Sequence, residues 1–103
     1  MITSKPVFDH LTALADSTRS RLLLALETHE LTVRELQEAL QLPQSTVSRH
    51  LKVLSDEGWV AARPDGTSHR YRLTPPPTGS SAQRLWGLVR EEVGGGQSAT
   101  RDR

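Results

Sequence analysis

The chain has 103 residues with 35% hydrophobic content and a formal net charge of +1, which allows one modest hydrophobic core, and small domains of this size often gain stability by dimerising. The sequence contains no cysteine, which excludes disulfides and thiolate metal sites and fits a reducing cytoplasm. It has neither an apolar run long enough to span a bilayer nor an N-terminal signal pattern, so we expect a cytoplasmic protein with no membrane association.

Two helices are predicted in the first 28 residues. The first helix is amphipathic, and its apolar positions are Val7, Phe8, Leu11 and Leu14. The second helix runs from about Ser17 to Thr28, and the pair Asp16-Ser17 supplies its N-cap. Its predicted core residues are Leu22, Leu23 and Leu26.

A helix, a break and another helix follow between residues 32 and 54. Thr32 is predicted to cap the first of these helices, which ends at Leu40, with Glu35 as its capping-box partner. Gln41-Leu42-Pro43 then interrupts the chain, and a proline is tolerated in the first turn of the next helix because its missing N–H would have no intrahelical partner there. This spacing is typical of a helix-turn-helix. An ordinary helical hairpin with a polar solvent face is the alternative.

The second helix of this pair, Pro43 to Leu54, is predicted to read DNA. Its apolar residues Val47, Leu51 and Leu54 share one face. The other face carries amide, hydroxyl and cationic groups, which can read base edges or phosphates in a major groove. Ser45, Thr46, Ser48 and Arg49 are predicted to face the bases, and Gln44 and Lys52 the phosphates. His50 lies beside the core face, so we predict a structural role or a phosphate contact for it.

A short β-hairpin is predicted after this helix, from residues 60–63 and 68–73, around the turn cluster 64–67, in which Gly66 can adopt a positive φ. Alternation along the second strand turns Tyr71 and Leu73 inward. Arg70 and Arg72 then face outward, and His69 is expected to be half-buried beside Tyr71.

The basic residues concentrate where a groove-facing helix and a wing would lie. Residues 27–38 contain four glutamates and one arginine, whereas residues 43–54 contain Arg49 and Lys52 and no acid. In the hairpin we predict that Arg70, near the turn, contacts phosphate or a minor groove, and that Arg63 contacts DNA as well. A solvated face of mixed charge is the alternative for Arg63.

The segment Thr74–Gly79 contains three consecutive prolines and is predicted to be a stiff, non-helical linker to a last helix from about Ser81 to Val93. A helix held by such a linker has little core of its own chain to cover, so we predict that it packs with the first helix against a second subunit. In the alternative, Trp86 folds back on its own domain. The predicted dimer contacts are Phe8, Leu11, Leu85, Trp86, Val89 and Val93. Residues 1–93 would form one domain, and residues 94–103 a flexible tail or linker.

Together these segments resemble the ArsR family of winged helix-turn-helix repressors. The resemblance runs in register from about His10 to Leu73, and its motifs are Leu14–Leu23, Leu31–Leu36, Gln44–Leu54 with Glu57–Val60, and Gly66–Leu73. It implies a mainly α fold with a small β-hairpin. It further implies a homodimer that binds a double-stranded DNA operator and releases it when an inducer arrives.

Metal sensing, by contrast, is not expected. Metal-sensing members of that family carry a Cys-Val-Cys pair on the helix before the turn, and the matching positions here are Thr32, Val33 and Arg34. Hydroxyl and guanidinium groups do not replace thiolates for a soft metal. A second family site would correspond to Asp9, His10, Glu91 and Glu92, and we expect no metal there either. We predict no cofactor and leave the inducer unknown.

Enzymatic activity is not expected, because the sequence lacks a cysteine nucleophile, a glycine-rich phosphate loop and a Gly-x-Ser-x-Gly elbow. Two alternatives to a free-standing repressor stay open. The run Gln44–Leu51, Trp59 and the helix from Arg84 to Val93 also resemble ArsR-type domains fused to a methyltransferase dependent on S-adenosylmethionine, with Gly94–Arg103 as the linker. A winged helix used only for protein binding is the other alternative.

Overall fold

The computed structural model describes the backbone of residues 5–102 and the side chains of residues 7–94. It has five helices and three strands in the order α1 (Lys5–Leu14), α2 (Ser17–Ala25), β1 (Leu31–Thr32), α3 (Val33–Leu40), α4 (Gln44–Asp56), β2 (Val60–Asp65), β3 (Ser68–Leu73) and α5 (Ser81–Asp102). This order confirms the predicted mainly α, winged helix-turn-helix fold. No helix within residues 5–102 is both long enough and apolar enough to cross a membrane.

The start of α2 is fixed by the side chain of Asp16. Its Oδ1 accepts hydrogen bonds from the backbone N–H groups of Thr18 at 2.8 Å and of Arg19 at 3.1 Å, as the predicted N-cap requires. The helix ends at Ala25 rather than at Thr28, because the N–H of Leu26 is shared between the carbonyls of Leu22 and Leu23 and tightens the last turn.

The predicted capping box at the start of α3 is confirmed. Thr32 Oγ1 accepts from the N–H of Glu35 at 3.2 Å, and the N–H of Thr32 donates to Glu35 Oε1 at 2.9 Å. Gln41 then turns left-handed at φ 58° and ends the helix. Pro43 precedes the first turn of α4 instead of lying in it, and its carbonyl accepts from the N–H of Val47 at 3.1 Å.

The sheet is antiparallel and three-stranded, in the order β1-β3-β2. Strand β1 was not predicted, because two residues are too short for a periodic pattern; it pairs Leu31 with Tyr71 and Thr32 with Arg70. The hairpin β2–β3 is confirmed, although β2 continues to Asp65, so that the turn contains only Gly66 and Thr67. Gly66 has φ 64°, which a residue with a side chain adopts only with strain.

The hydrophobic core includes residues from all five helices and from β2. Leu22, Leu23, Leu36, Val47, Leu51 and Leu54 are at most 1% exposed. Trp86 is 6% exposed within a single chain, so the expectation that it lacks a partner in its own chain is wrong. The proline segment does not hold α5 away, because α5 returns to pack against α1 and α2.

The backbone of α5 is helical to Asp102, whereas a flexible tail was predicted from residue 94. Glycine weakens a helix by about 1 kcal/mol relative to alanine without forbidding it, and no proline interrupts this segment. Residue 103 and the side chains of residues 95–102 lie outside the part of the chain that the structure describes. The predicted division into a domain and a tail therefore stays a prediction.

Candidate nucleic-acid interface

Helix α4 presents a polar face to solvent, as its sequence pattern predicts. Its apolar residues Val47, Leu51 and Leu54 are buried against the core. The exposed residues on the other side are Gln44, Ser45, Ser48, Arg49 and Lys52, and Thr46 is partly buried. Of the DNA-contacting residues predicted on α4, all except His50 are therefore at least partly accessible, and we call the surface that they form the α4 face.

The two cations of the α4 face have different surroundings. Lys52 Nζ lies 3.3 Å from Asp56 Oδ2, and both side chains are largely exposed. Such a pair on a helix surface contributes only about 0.3 to 0.5 kcal/mol, so it opens easily. Arg49 is exposed and forms no ion pair with any carboxylate among residues 7–94. Its guanidinium is thus available for a bidentate hydrogen bond.

His50 does not belong to the α4 face, because its side chain is only 7% exposed. Its Nδ1 lies 3.3 Å from Nη1 of Arg19, and since a guanidinium only donates, Nδ1 accepts and the ring is neutral. Burial lowers the pKa of His50, and the charges of Arg19 and Arg49 lower it further, against the carboxylate of Asp16. Of the two roles predicted for His50, the structure favours the structural one.

Arg19 joins α4 to α1. Its Nε donates to the carbonyl of Ala13 at 2.7 Å and its Nη2 to that of Thr12 at 3.0 Å, at the C-terminal end of α1. With its contact to His50, a single guanidinium therefore connects α1, α2 and α4. The sequence pattern gave no sign of this connection.

Two of the three arginines of the wing, Arg63 and Arg70, are held by carboxylates. Arg70 was predicted to face outward and reach DNA, but its Nε donates to Asp65 Oδ2 at 2.7 Å, its Nη1 lies 3.5 Å from Glu35 Oε1, and its side chain is 31% exposed. Arg63 Nη2 lies 2.8 Å from Glu30 Oε1. The hydrogen bond from Arg63 lowers the pKa of Glu30 below its usual range. Either arginine would have to exchange a carboxylate for a phosphate in order to contact DNA.

A groove of about 240 Å³ lies between the turn of the hairpin and the first residues of α3 and α4. Gln44 of the α4 face lines it together with Arg34, Thr67 and His69. Arg34 and His69 are exposed, although His69 was expected to be half-buried. Sequence reasoning missed both as polar groups beside the α4 face, because the pairing of β1 with β3 brings them there.

The residues predicted to form a dimer interface divide into three groups. Phe8 is 62% exposed and Leu11 44%. Leu85, Val89 and Val93 are partly buried, and Trp86 is buried. Leu88, which was not among the predicted contacts, is 62% exposed.

Comparison with known proteins places this geometry in a family. Residues 16–62 match the model of the arsR family of bacterial regulatory proteins. An HTH-type transcriptional regulator of Mycobacterium tuberculosis is 43% identical over 72 residues, which cover 70% of this chain and 65% of that protein. An arsenical resistance operon repressor of Staphylococcus aureus is 42% identical over 60 residues, covering 58% of each. This chain thus spans about 60% of the length of these curated relatives.

A solved structure covers more of the chain. The homodimeric winged helix-turn-helix DNA-binding domain of a possible ArsR-family transcriptional regulator from Mycobacterium bovis is 31% identical. Its TM-score is 0.68, and the match covers 84% of this chain and 76% of that one. By its helix-turn-helix, its wing and these relatives, the chain belongs to the ArsR family of winged helix-turn-helix regulators.

Proposed function

We propose that the chain is a sequence-specific transcriptional repressor that binds an operator as a homodimer. The observation that carries this proposal is the α4 face, which is exposed, rich in hydrogen-bonding groups and free of acidic residues from Gln44 to Ser55. A helix of this chemistry fits the major groove, where arginine pairs with guanine and hydroxyls contact bases or phosphates. Ser45, Thr46, Ser48 and Arg49 read the bases, and Gln44 and Lys52 contact the backbone.

A second subunit is part of the proposal. Phe8, Leu11 and Leu88 expose large apolar side chains on α1 and α5, two helices that pack against each other. Exposed apolar residues on adjoining helices are typical of a subunit interface. The Mycobacterium bovis relative is homodimeric. A dimer would present two α4 faces to the two halves of a palindromic operator.

The proposed repressor does not use the cysteine site of metal-sensing relatives. The Staphylococcus aureus relative is named for arsenical resistance, but this chain has no cysteine. The hydroxyl of Thr32, at one of the sensing positions, is occupied by the capping box of α3. The relatives named above are described as regulators and repressors, which supports neither a methyltransferase fusion nor a winged helix that binds only protein.

Footprinting on the DNA that flanks the gene of this protein tests the proposal. We expect two protected half-sites about one helical turn apart and an affinity that falls steeply with salt, because phosphate contacts release counterions. The substitution Ser48→Glu, which places a carboxylate on the α4 face, should abolish protection. Gln83→Glu, which adds the same charge at an exposed position of α5, is the matched control. Protection that survives Ser48→Glu, or no salt-dependent DNA binding at all, would refute this function.

A further inference from the structure

A cavity of about 390 Å³ lies beside the residues that directly follow the C-terminal end of α4. Its walls come from four separate segments: His10 of α1, the loop Glu57–Trp59 between α4 and β2, the proline segment, and the start of α5. A volume of this size is within the range of small-molecule sites in proteins. No residue proposed for DNA contact lines it.

Two ring nitrogens of the lining residues have no hydrogen-bond partner within the described part of the chain. Trp59 is 2% exposed, and its Nε1 is buried without an acceptor among the residues that the structure describes. His10 Nδ1 is buried and unpaired in the same way. The two rings meet edge to face, with centroids 5.7 Å apart. Buried polar groups in proteins are nearly always satisfied, so two unpaired nitrogens beside one cavity indicate a missing partner.

The remaining walls define the chemistry of that partner. The ring of Trp59, the rings of Pro75, Pro76 and Pro77 and the methyl group of Ala82 form apolar surfaces, which suit a planar apolar body. An indole N–H only donates, so the ligand must supply an acceptor. Glu57 also lines the cavity, and its carboxylate disfavours an anionic acceptor.

We propose that this cavity binds a small, neutral, planar molecule with a carbonyl oxygen, which accepts a hydrogen bond from Trp59 Nε1. The site is linked to α4 through the backbone of Trp59. Its N–H donates to the carbonyl of Leu54 at 2.8 Å, and its carbonyl accepts from the N–H of Thr74 at 2.9 Å. Any consequence for the operator rests on the proposed function, whereas ligand binding does not.

Two-dimensional NMR of the full chain tests binding directly, because the chain has only two tryptophans. We use 1-indanone as the probe, indane as the analogue without the carbonyl and indane-1-carboxylate as the anionic analogue. Titration with 1-indanone should move the indole N–H signal of Trp59 and leave that of Trp86 in place. Indane should move the Trp59 signal less than half as far, and the carboxylate should bind at least tenfold more weakly than 1-indanone. Equal responses to all three probes, or a response of Trp86 alone, would overturn the site.

Substitutions provide an independent arm of the test. Trp59→Phe keeps an aromatic ring but removes the N–H donor, and should weaken 1-indanone binding at least tenfold. Trp86→Phe alters a buried tryptophan that does not line the cavity and should leave binding unchanged. If Trp59→Phe does not fold, nuclear Overhauser contacts in the natural chain decide instead: contacts from 1-indanone to Pro76 and Ala82 support the site, and contacts confined to Phe8 and Leu88 refute it. All these measurements are made without DNA, so their failure would leave the proposed function standing.

Discussion

At the scale of single residues, Arg49 and Lys52 show how two cations on one helix face can have different tasks. Lys52 forms an ion pair with Asp56 one helical turn further along. Its compact ammonium group has no fixed planar geometry with which to distinguish one base from another. Arg49 lies nearer the start of α4 and is not paired with a carboxylate within residues 7–94. A planar guanidinium that is free to form two parallel hydrogen bonds can distinguish guanine from the other bases.

The substitution Arg49→Ala should therefore cost about 1 to 3 kcal/mol of operator binding and relax specificity at one position of each half-site. Lys52→Ala should instead weaken binding to operator and unrelated DNA by the same factor. Fluorescence anisotropy with both DNAs at one salt concentration measures the two effects. Arg84→Ala, an exposed change on α5, is the control. Unchanged operator affinity in Arg49→Ala would show that α4 does not read the bases in the major groove.

His50 makes the free energy of unfolding depend on pH. Burial holds its pKa below the ordinary 6.5, so the unfolded chain takes up a proton at a higher pH than the folded chain. The contribution of neutral His50 to the free energy of unfolding is therefore fully present above about pH 6.5. This contribution falls as the pH drops through that value, until His50 in the folded chain also protonates. Urea denaturation between about pH 7.5 and pH 5 should show this fall.

The substitution His50→Gln should flatten that fall, and His69→Gln, at an exposed position, should retain it. A fall of the same size in His50→Gln would assign the pH dependence to another group. Asp16 acts in a separate range. Burial would raise its pKa, but the backbone N–H groups of Arg19 and Thr18 and nearby positive charges lower it below 3.8. The stabilisation from Asp16 is thus lost only at still lower pH.

The residues that sequence patterns predicted well are those whose partners lie nearby in the chain. Asp16 and Thr32 cap helices through groups at most three residues away, so the sequence alone indicates both. Arg70 is different, because Glu35 lies 35 residues before it. Strand alternation gives the face on which Arg70 lies, and the hairpin alone brings Asp65 to it, but only the pairing of β1 with β3 reveals its second carboxylate, Glu35.

At the scale of elements, the same contrast separates α4 from α5. The apolar spacing of α4 and the break at Gln41–Pro43 are local signals, and the structure confirms both. The packing of α5 depends on where the proline segment leads, which no local pattern specifies. The prediction of an apolar face on α5 was sound, but the rotation of the helix buries Trp86 in its own chain and exposes Leu88.

Because Leu88 is an exposed apolar residue of α5, it is the position at which we test the proposed dimer. Leu88→Glu should make the chain monomeric in sedimentation, because it places a charge in an apolar interface. The unfolding temperature of this variant should differ from that of the natural chain at equal concentration mainly because association is lost. Thr78→Glu, an exposed change outside the helices, is the matched control. A dimer of unchanged strength in Leu88→Glu would place the interface elsewhere. Deleting α5 is not a clean test, since it also removes Trp86 from the core.

At the scale of the whole molecule, a signal would release DNA from the proposed dimer by changing the relation between its two subunits. An effector shifts such an equilibrium only by the difference between its affinities for the DNA-binding and the released states. A soft metal would need ligands that differ between these states. The chain has no cysteine, and within residues 7–94 no group of three or more His, Asp and Glu side chains is arranged to hold an ion.

We therefore expect zinc, cadmium and arsenite, each at a few equivalents per subunit, to leave operator binding unchanged in a gel-shift titration. The double variant T32C/R34C, which has thiols at the positions that metal-sensing relatives use, is the matched comparison. It should bind cadmium with the charge-transfer absorption of a thiolate complex, because thiolates are the ligands that soft metals select. Release of DNA from the natural chain by one equivalent of any of these metals, reversed by a chelator, would show that oxygen and nitrogen ligands of the assembled dimer form a sensing site.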